Sequence, residues 1–179
     1  MGSVYSLDMS EYGQGGERLA LTHRAETDTA LKNGSKGERM IAISRYVCEV
    51  IEDYIDHNRY DPSDNHERNP LFTSKQGRLS ISTMRGRVYS VTRPCYYAEC
   101  PHERDPDTCE AMTYGYRGNC PSSVSPHSVR RGSITHFLTA DVPEKVVSDR
   151  MHVSSEVLDK HYDKRSEEIK VEQRRAYLD

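Results

Sequence analysis

No stretch of the chain comes near the roughly 20 consecutive apolar residues that a membrane-spanning helix requires. The start, Met1 to Met9, lacks the basic region and apolar run of a signal peptide. There is no G-x-x-x-x-G-K-(S/T) string to cradle a nucleotide triphosphate, and no internal repeat. These absences predict a soluble, cytoplasmic chain with no membrane partner. An excess of basic charge is also missing: the formal net charge is −3. A nucleic-acid-binding domain is usually more basic, but phosphate contacts need only a local basic face. Arg85, Arg87, Arg93, Arg130 and Arg131 are the candidates for one; ordinary solvated charge is the plainer reading of them from composition alone.

What is present is a polar chain of 179 residues, 35% apolar and 30% charged, enough for one domain over 1–179 with a core of its own. Met1 to Tyr12 reads as the end of a helix running into a strand, with Val4, Leu7 and Met9 as its apolar positions. Arg18 to His23 and Arg39 to Ile43 read as strands around a turn rich in Thr, Asn, Gly and Lys, a hairpin signal. Ser44 suits a helix N-cap, and Tyr46, Val47, Val50, Ile51, Tyr54 and Ile55 then recur at helical spacing. Cys48, beside that stripe, reads as a small packing residue. A polar loop from His57 to Pro70 leads to a short strand over Leu71 to Thr73 and a helix over Ile81 to Thr92. Helices are again expected over Pro126 to Ala140, from Pro143 through Met151, and after a Ser154 cap. The charged, helix-prone tail from Lys164 to Arg175 is expected to extend from the body.

Between the two helical stretches, residues 94–125 hold four of the five cysteines, four prolines and few aliphatics. Such a segment builds no core without a staple. Cys95, Cys100, Cys109 and Cys120 are separated by four, eight and ten residues, wider than paired CxxC knuckles. In an intracellular chain this clustering favours a structural Zn²⁺, with His102 as an alternative ligand; four unrelated thiols is the other reading.

The chemistry is carried by a set spread along the chain. His127 and Arg130 lie one helical turn apart, so both can face one spot. Arg offers a planar fork of donors to a phosphate, and His can donate or exchange a proton. H-x-x-R alone occurs by chance on solvated helix faces; its surroundings give it meaning. Ser125-Pro126-His127-Ser128-Val129-Arg130-Arg131 resembles the (T/S)-P-H-x-L-R-(R/H) box of tyrosine recombinases, the phage-integrase family. Val146 to Met151 followed by Ser154-Ser155 resembles the helix, tight turn and cap that precede that family's nucleophile, and Tyr162, in His161-Tyr162-Asp163, falls at its position. The resemblance runs from about Met1 to Asp163.

It implies an α+β, mainly helical catalytic fold with a small antiparallel sheet of two or three strands, and residues 94–125 as a cysteine-rich insertion like that of some archaeal members. It implies an enzyme that cuts and rejoins double-stranded DNA through a 3′-phosphotyrosyl intermediate, self-associating on DNA in a prokaryotic nucleoid. Tyr162 would be the nucleophile, Arg130 the phosphate clamp and His127 its helper. A turn lysine, Lys32 first and Lys36 second, would protonate the leaving 5′-oxygen. No cofactor enters the catalysis.

Two departures from the family pattern stand out. The family's first catalytic arginine lies in a G-x-R string that would fall before Met1, so the chain is expected to be truncated and nearly inactive alone. Losing such a donor costs about 3–4 kcal/mol of transition-state stabilisation. The family's second histidine should fall at Val153; His152, one place earlier, either serves by a local shift or this branch does without it. A non-catalytic DNA-binding or recombinase-partner module is the alternative reading of the whole.

Overall fold

Alternation of apolar and polar residues puts Leu19, Leu21 and Ile41 on one face of a hairpin. The computed structural model pairs them so. Strands β1 (Tyr12–Gly13), β2 (Arg18–Leu21) and β3 (Arg39–Ala42) form an antiparallel sheet in that order, with Leu19 opposite both Tyr12 and Ile41. Leu21 and Tyr12 are buried, while Met40 points to solvent. Strand β2 stops at Leu21 rather than His23 because the His23 N–H donates to the Glu38 carboxylate (2.8 Å) instead of continuing the ladder. The structure describes residues 1–13, 17–162, 165–175 and 178, with the side chain of His161 excepted; expectations resting on Asp163 and Lys164 lie outside these. It divides into two compact units, 1–123 and 124–179.

In the first unit, α1 (Gly2–Tyr5) leads into a 3-10 turn capped by Asp8, whose N–H donates to Glu11 (2.9 Å). Val4 is exposed, and Leu7 is the residue that enters the core. Helix α2 (Arg45–His57) begins at Ser44 as expected, the serine oxygen accepting from the Val47 N–H. Its buried face differs from the apolar stripe in the sequence. Cys48 and Ile51 are buried and Ile55 packs on the core, but Tyr46, Val47 and Val50 are exposed. The Tyr12 hydroxyl explains the rotation: it donates to Glu52 (3.1 Å) and to the Cys48 carbonyl (3.4 Å), turning that side inward.

Leu71 is fully buried and bonds Leu7 through its N–H (3.0 Å), but the hairpin starts later than expected, as β4 (Thr73–Ser74) and β5 (Gly77–Arg78). Gly77, at φ +117, takes a backbone conformation that side chains resist. Helix α3 (Ile81–Val91) follows a Ser80 cap. The cysteine-rich segment then runs through three short 3-10 turns, with Ala111 and Cys120 buried.

The second unit is helical: α4 (Pro126–Thr139), α5 (Glu144–Met151), α6 (Ser155–His161) and α7 (Glu167–Arg175). Its core is Ile134, Leu138, Val147 and Leu158, each at most 1% exposed. The tail is tied back rather than extended: Arg165 donates to the Leu138 carbonyl (3.1 Å) and to Gln173. The architecture is thus α+β, helical in the main, with a small antiparallel sheet. Among the described residues no helix is long and apolar enough to cross a membrane.

Candidate nucleic-acid strand-transfer site

Four of the five residues singled out as catalytic lie in the second unit. Pro126 fits the first position of α4, where no N–H is needed, and the Ser125 oxygen caps the Ser128 N–H (3.1 Å). That start places His127 in the first turn, exposed, and Arg130 one turn on, half-buried. The Arg130 guanidinium donates to the Met151 carbonyl at the end of α5. A guanidinium has five N–H donors, so this bond orients the fork without exhausting it.

Met151 precedes the turn that carries His152. His152 caps α5 in the left-handed conformation, φ 48, and its N–H bonds Asp149 (3.3 Å). The Ser148 hydroxyl closes the same turn on the Val153 carbonyl (2.6 Å). Positive φ is uncommon for a residue with a side chain, and a C-terminal cap is one place that tolerates it. Ser154 then caps α6, and Tyr162 ends that helix with its N–H on the Leu158 carbonyl (2.9 Å). Tyr162 is half-buried and packs on the apolar cluster that also receives Met151 and Val153, the neighbours of His152. One small cluster therefore gathers the Arg130 anchor, the His152 turn and Tyr162.

The fifth residue, Lys32, belongs to the first unit, in the loop between β2 and β3. Lys32 is exposed, and so is Lys36, within a 3-10 turn (Gly34–Gly37). The loop is anchored on the residue just before Lys32. Leu31 is buried, and its N–H donates to His23 Nδ1 (3.0 Å), which fixes that nitrogen as the acceptor. Gly37 lies against Leu31 so closely that a Cβ there would stand 3.3 Å from the Leu31 Cβ.

An ion network holds the earlier part of the same loop, and sequence reasoning had not found it. Arg68 donates to Asp8 (2.8 Å through Nε) and to the hydroxyls of Thr27 and Thr29 (2.7 Å each). Arg78 spans Asp8 and Asp64 and also bonds the Tyr5 and Leu7 carbonyls. Arg24 pairs with Glu11 (2.8 Å). Burial opposes the charged form of Asp64, yet the Arg78 guanidinium and the N–H groups of Arg68 and His66 hold its carboxyl below the usual range. The arginines that hydrogen-bond the Asp8 carboxylate lie 60 and 70 residues away along the chain, and no local pattern marks such pairs.

Of the candidate basic face, Arg85, Arg87 and Arg131 are exposed, but Arg93 is not part of it. Arg93 is 6% exposed and turns its guanidinium inward to the Ala111 carbonyl, pinning the cysteine-rich segment to the end of α3. The expected zinc centre finds no support. Cys95, Cys100, Cys109 and Cys120 are free thiols, and among the described residues no group of three or more His, Cys, Asp or Glu is placed to hold a metal. His102, the alternative ligand, is within hydrogen-bond distance of the Ser122 hydroxyl (2.9 Å). Arg93 and the buried Ala111 and Cys120 tie the segment to the rest of the first unit.

No protein-family model matches the sequence, and no curated protein is significantly similar to it. Solved structures do match. XerA recombinase superposes with a TM-score of 0.61 at 15% identity, covering 99% of this chain and 53% of that one. The Tn1549 transposon integrase in complex with a circular intermediate DNA gives a TM-score of 0.65 at 13% identity, covering 98% of this chain and 54% of that one. The same integrase with transposon right end DNA gives 0.61 at 13% identity, with 99% and 53% covered. The chain spans about half the length of these solved structures. At such low identity what is shared is the fold, and the chain has the fold of solved recombinases and transposon integrases.

Proposed function

We propose that this chain is the strand-transfer part of a tyrosine recombinase, acting on double-stranded DNA. The observation that carries the reading is the gathering of Arg130, the His152 turn and Tyr162 about one cluster, in a chain with the recombinase fold. The two units are read together as one catalytic domain over 1–179, with residues 94–125 as an insertion.

In this reading the Tyr162 oxygen attacks the scissile phosphorus. The bond to the 5′-oxygen breaks as the bond to tyrosine forms, leaving a 3′-phosphotyrosyl link and a free 5′-hydroxyl. Lys32 gives the proton to the leaving 5′-oxygen. Arg130 holds the nonbridging oxygens with the donors its bond to Met151 leaves over, and His127 bonds a phosphate oxygen or manages the tyrosine proton. The link retains the energy of the broken diester, so a second 5′-hydroxyl can reverse the step without nucleotide or metal taking part. Exchange needs two cleaved sites, hence more than one protomer on the DNA.

The test traps the covalent adduct on a nicked duplex, using the full-length protein. Tyr162→Phe should abolish the adduct while DNA binding persists. Arg130→Ala should slow its formation by about 10²–10³-fold, as for removal of one preorganised donor. DNA binding with no phenol-linked adduct in that protein would overturn the enzyme reading and leave a binding module.

A further inference from the structure

We propose that the groove between α3 and the cysteine-rich segment is a second DNA-backbone contact, in which Arg85 and Arg117 grip a phosphodiester. The inference rests on the DNA reading above, but it uses none of the strand-transfer residues.

One wall is a stripe of α3: Ser82, Arg85, Gly86 and Tyr89 recur at helical spacing along it. The other wall is Tyr114 to Asn119, from the cysteine-rich segment. Two arginines of different elements thus converge on one concavity. Neither has a carboxylate partner among the described residues, whereas Arg24, Arg59, Arg68 and Arg78 in the same unit all do.

The groove is also shaped to present Arg117. Its guanidinium lies over the Tyr114 ring, 5.0 Å from the centroid. A guanidinium placed over a ring keeps its N–H donors for an anion, and arginine takes phosphate oxygens in pairs. Glycine on each wall permits the close approach. A Cβ at Gly86 would stand 3.1 Å from Arg117 Nη1, and one at Gly118 would stand 3.5 Å from the Tyr89 ring. The segment is fixed in place at its far side, where Arg93 reaches the Ala111 carbonyl, and Asn119 is held by Glu110 (2.9 Å). A Pro-rich segment with little core of its own thereby has a role: it carries the second arginine of a phosphate clamp.

The experiment measures binding of a labelled random-sequence DNA duplex by fluorescence anisotropy over a range of salt, with inorganic phosphate titrated separately. The variants are Arg85→Gln, Arg117→Gln, both together, Arg117→Lys, and Arg45→Gln as a charge-matched control on α2. The double variant should bind on the order of ten-fold more weakly, and its slope of log affinity against log salt should fall by about 1, for the one phosphate the pair neutralises. Arg117→Lys should keep the slope but lose affinity, since the charge stays and the stacked fork goes. Arg45→Gln should bind as the wild type does.

A double variant with wild-type affinity and slope overturns the groove proposal and leaves the DNA reading standing. A wild-type chain that binds no DNA overturns both. A double variant that differs from the wild type in binding inorganic phosphate but not in binding the duplex would make this a site for free phosphate and overturn the DNA contact. Should Arg117→Gln unfold on circular dichroism, Arg85→Gln carries the test, because Arg85 is an exposed side chain on α3.

Discussion

The two units differ in what they bury beside an apolar core. The first keeps charge inside: the side chains of Asp8, Arg68, Arg78 and Asp64 are 9%, 14%, 6% and 8% exposed and bond one another. The second has a core of four aliphatic side chains and no buried ion pair among the described residues. Buried charges need every partner present, because a single loss leaves an uncompensated ion in low dielectric. An apolar core fails more locally, by the volume removed. The first unit is accordingly the one that pins a loop in a set shape, the loop with Lys32. The second leaves its candidate groups at helix ends around a small cluster.

The largest expected effect comes from breaking the charge network at its centre. Asp8→Ala leaves Arg68 without a carboxylate partner and Arg78 with Asp64 alone, and should cost about 4 kcal/mol. The urea midpoint reads this, and amide exchange at Thr29 and Leu31 should rise with it. A cost below about 1 kcal/mol would mean that the network is not what holds the loop. Leu158→Ala in the second unit should cost about 3 kcal/mol, by lost transfer energy and the cavity left behind.

Acid reaches the same network. The carboxyl of Asp64 sits below its ordinary value in the folded chain. A group with a depressed folded pKa contributes stability that is fully present above its unfolded value, about 3.9 for Asp, and is lost as pH falls through the folded value. The amides of the loop before Lys32 should therefore lose protection below about pH 4. Asp64→Asn should flatten that dependence. An acid profile unchanged in Asp64→Asn would remove Asp64 from the account.

These differences also explain what could be read from the sequence. The helices of the second unit were legible almost to the residue, because Ser125 and Ser154 cap them and a proline opens α4. The β2–β3 hairpin was legible from its alternation. The inward face of α2 was not, because a tyrosine 40 residues away turns it through Glu52. Arg93 looked like surface charge and is buried, since nothing local says that a carbonyl of the cysteine-rich segment will meet it. The cysteines looked like metal ligands because their number and clustering are visible while their placement is not. The box around His127 and Arg130 was legible as a string. That Arg130 would reach the carbonyl beside His152 was not, for it depends on how α5 returns along α4.

The smallest effect tests whether the contrast belongs to the cores alone. Helices α3 and α4 begin alike: Ser80 caps the Thr83 N–H and Ser125 caps the Ser128 N–H, each at 3.1 Å, each exposed. Each cap oxygen also lies within reach of the side-chain hydroxyl three residues on, at 2.9 and 3.0 Å. A cap satisfies a donor that the helix itself cannot, so its worth is set within one turn and not by the core beneath. Ser80→Ala and Ser125→Ala should therefore cost the same, about 1 kcal/mol each, although they lie in units with unlike cores. Thermal melts of the two variants would show it. If Ser125→Ala costs clearly more, the start of α4 is supporting something beyond its own first turn, and His127, two residues on, is the group to examine next.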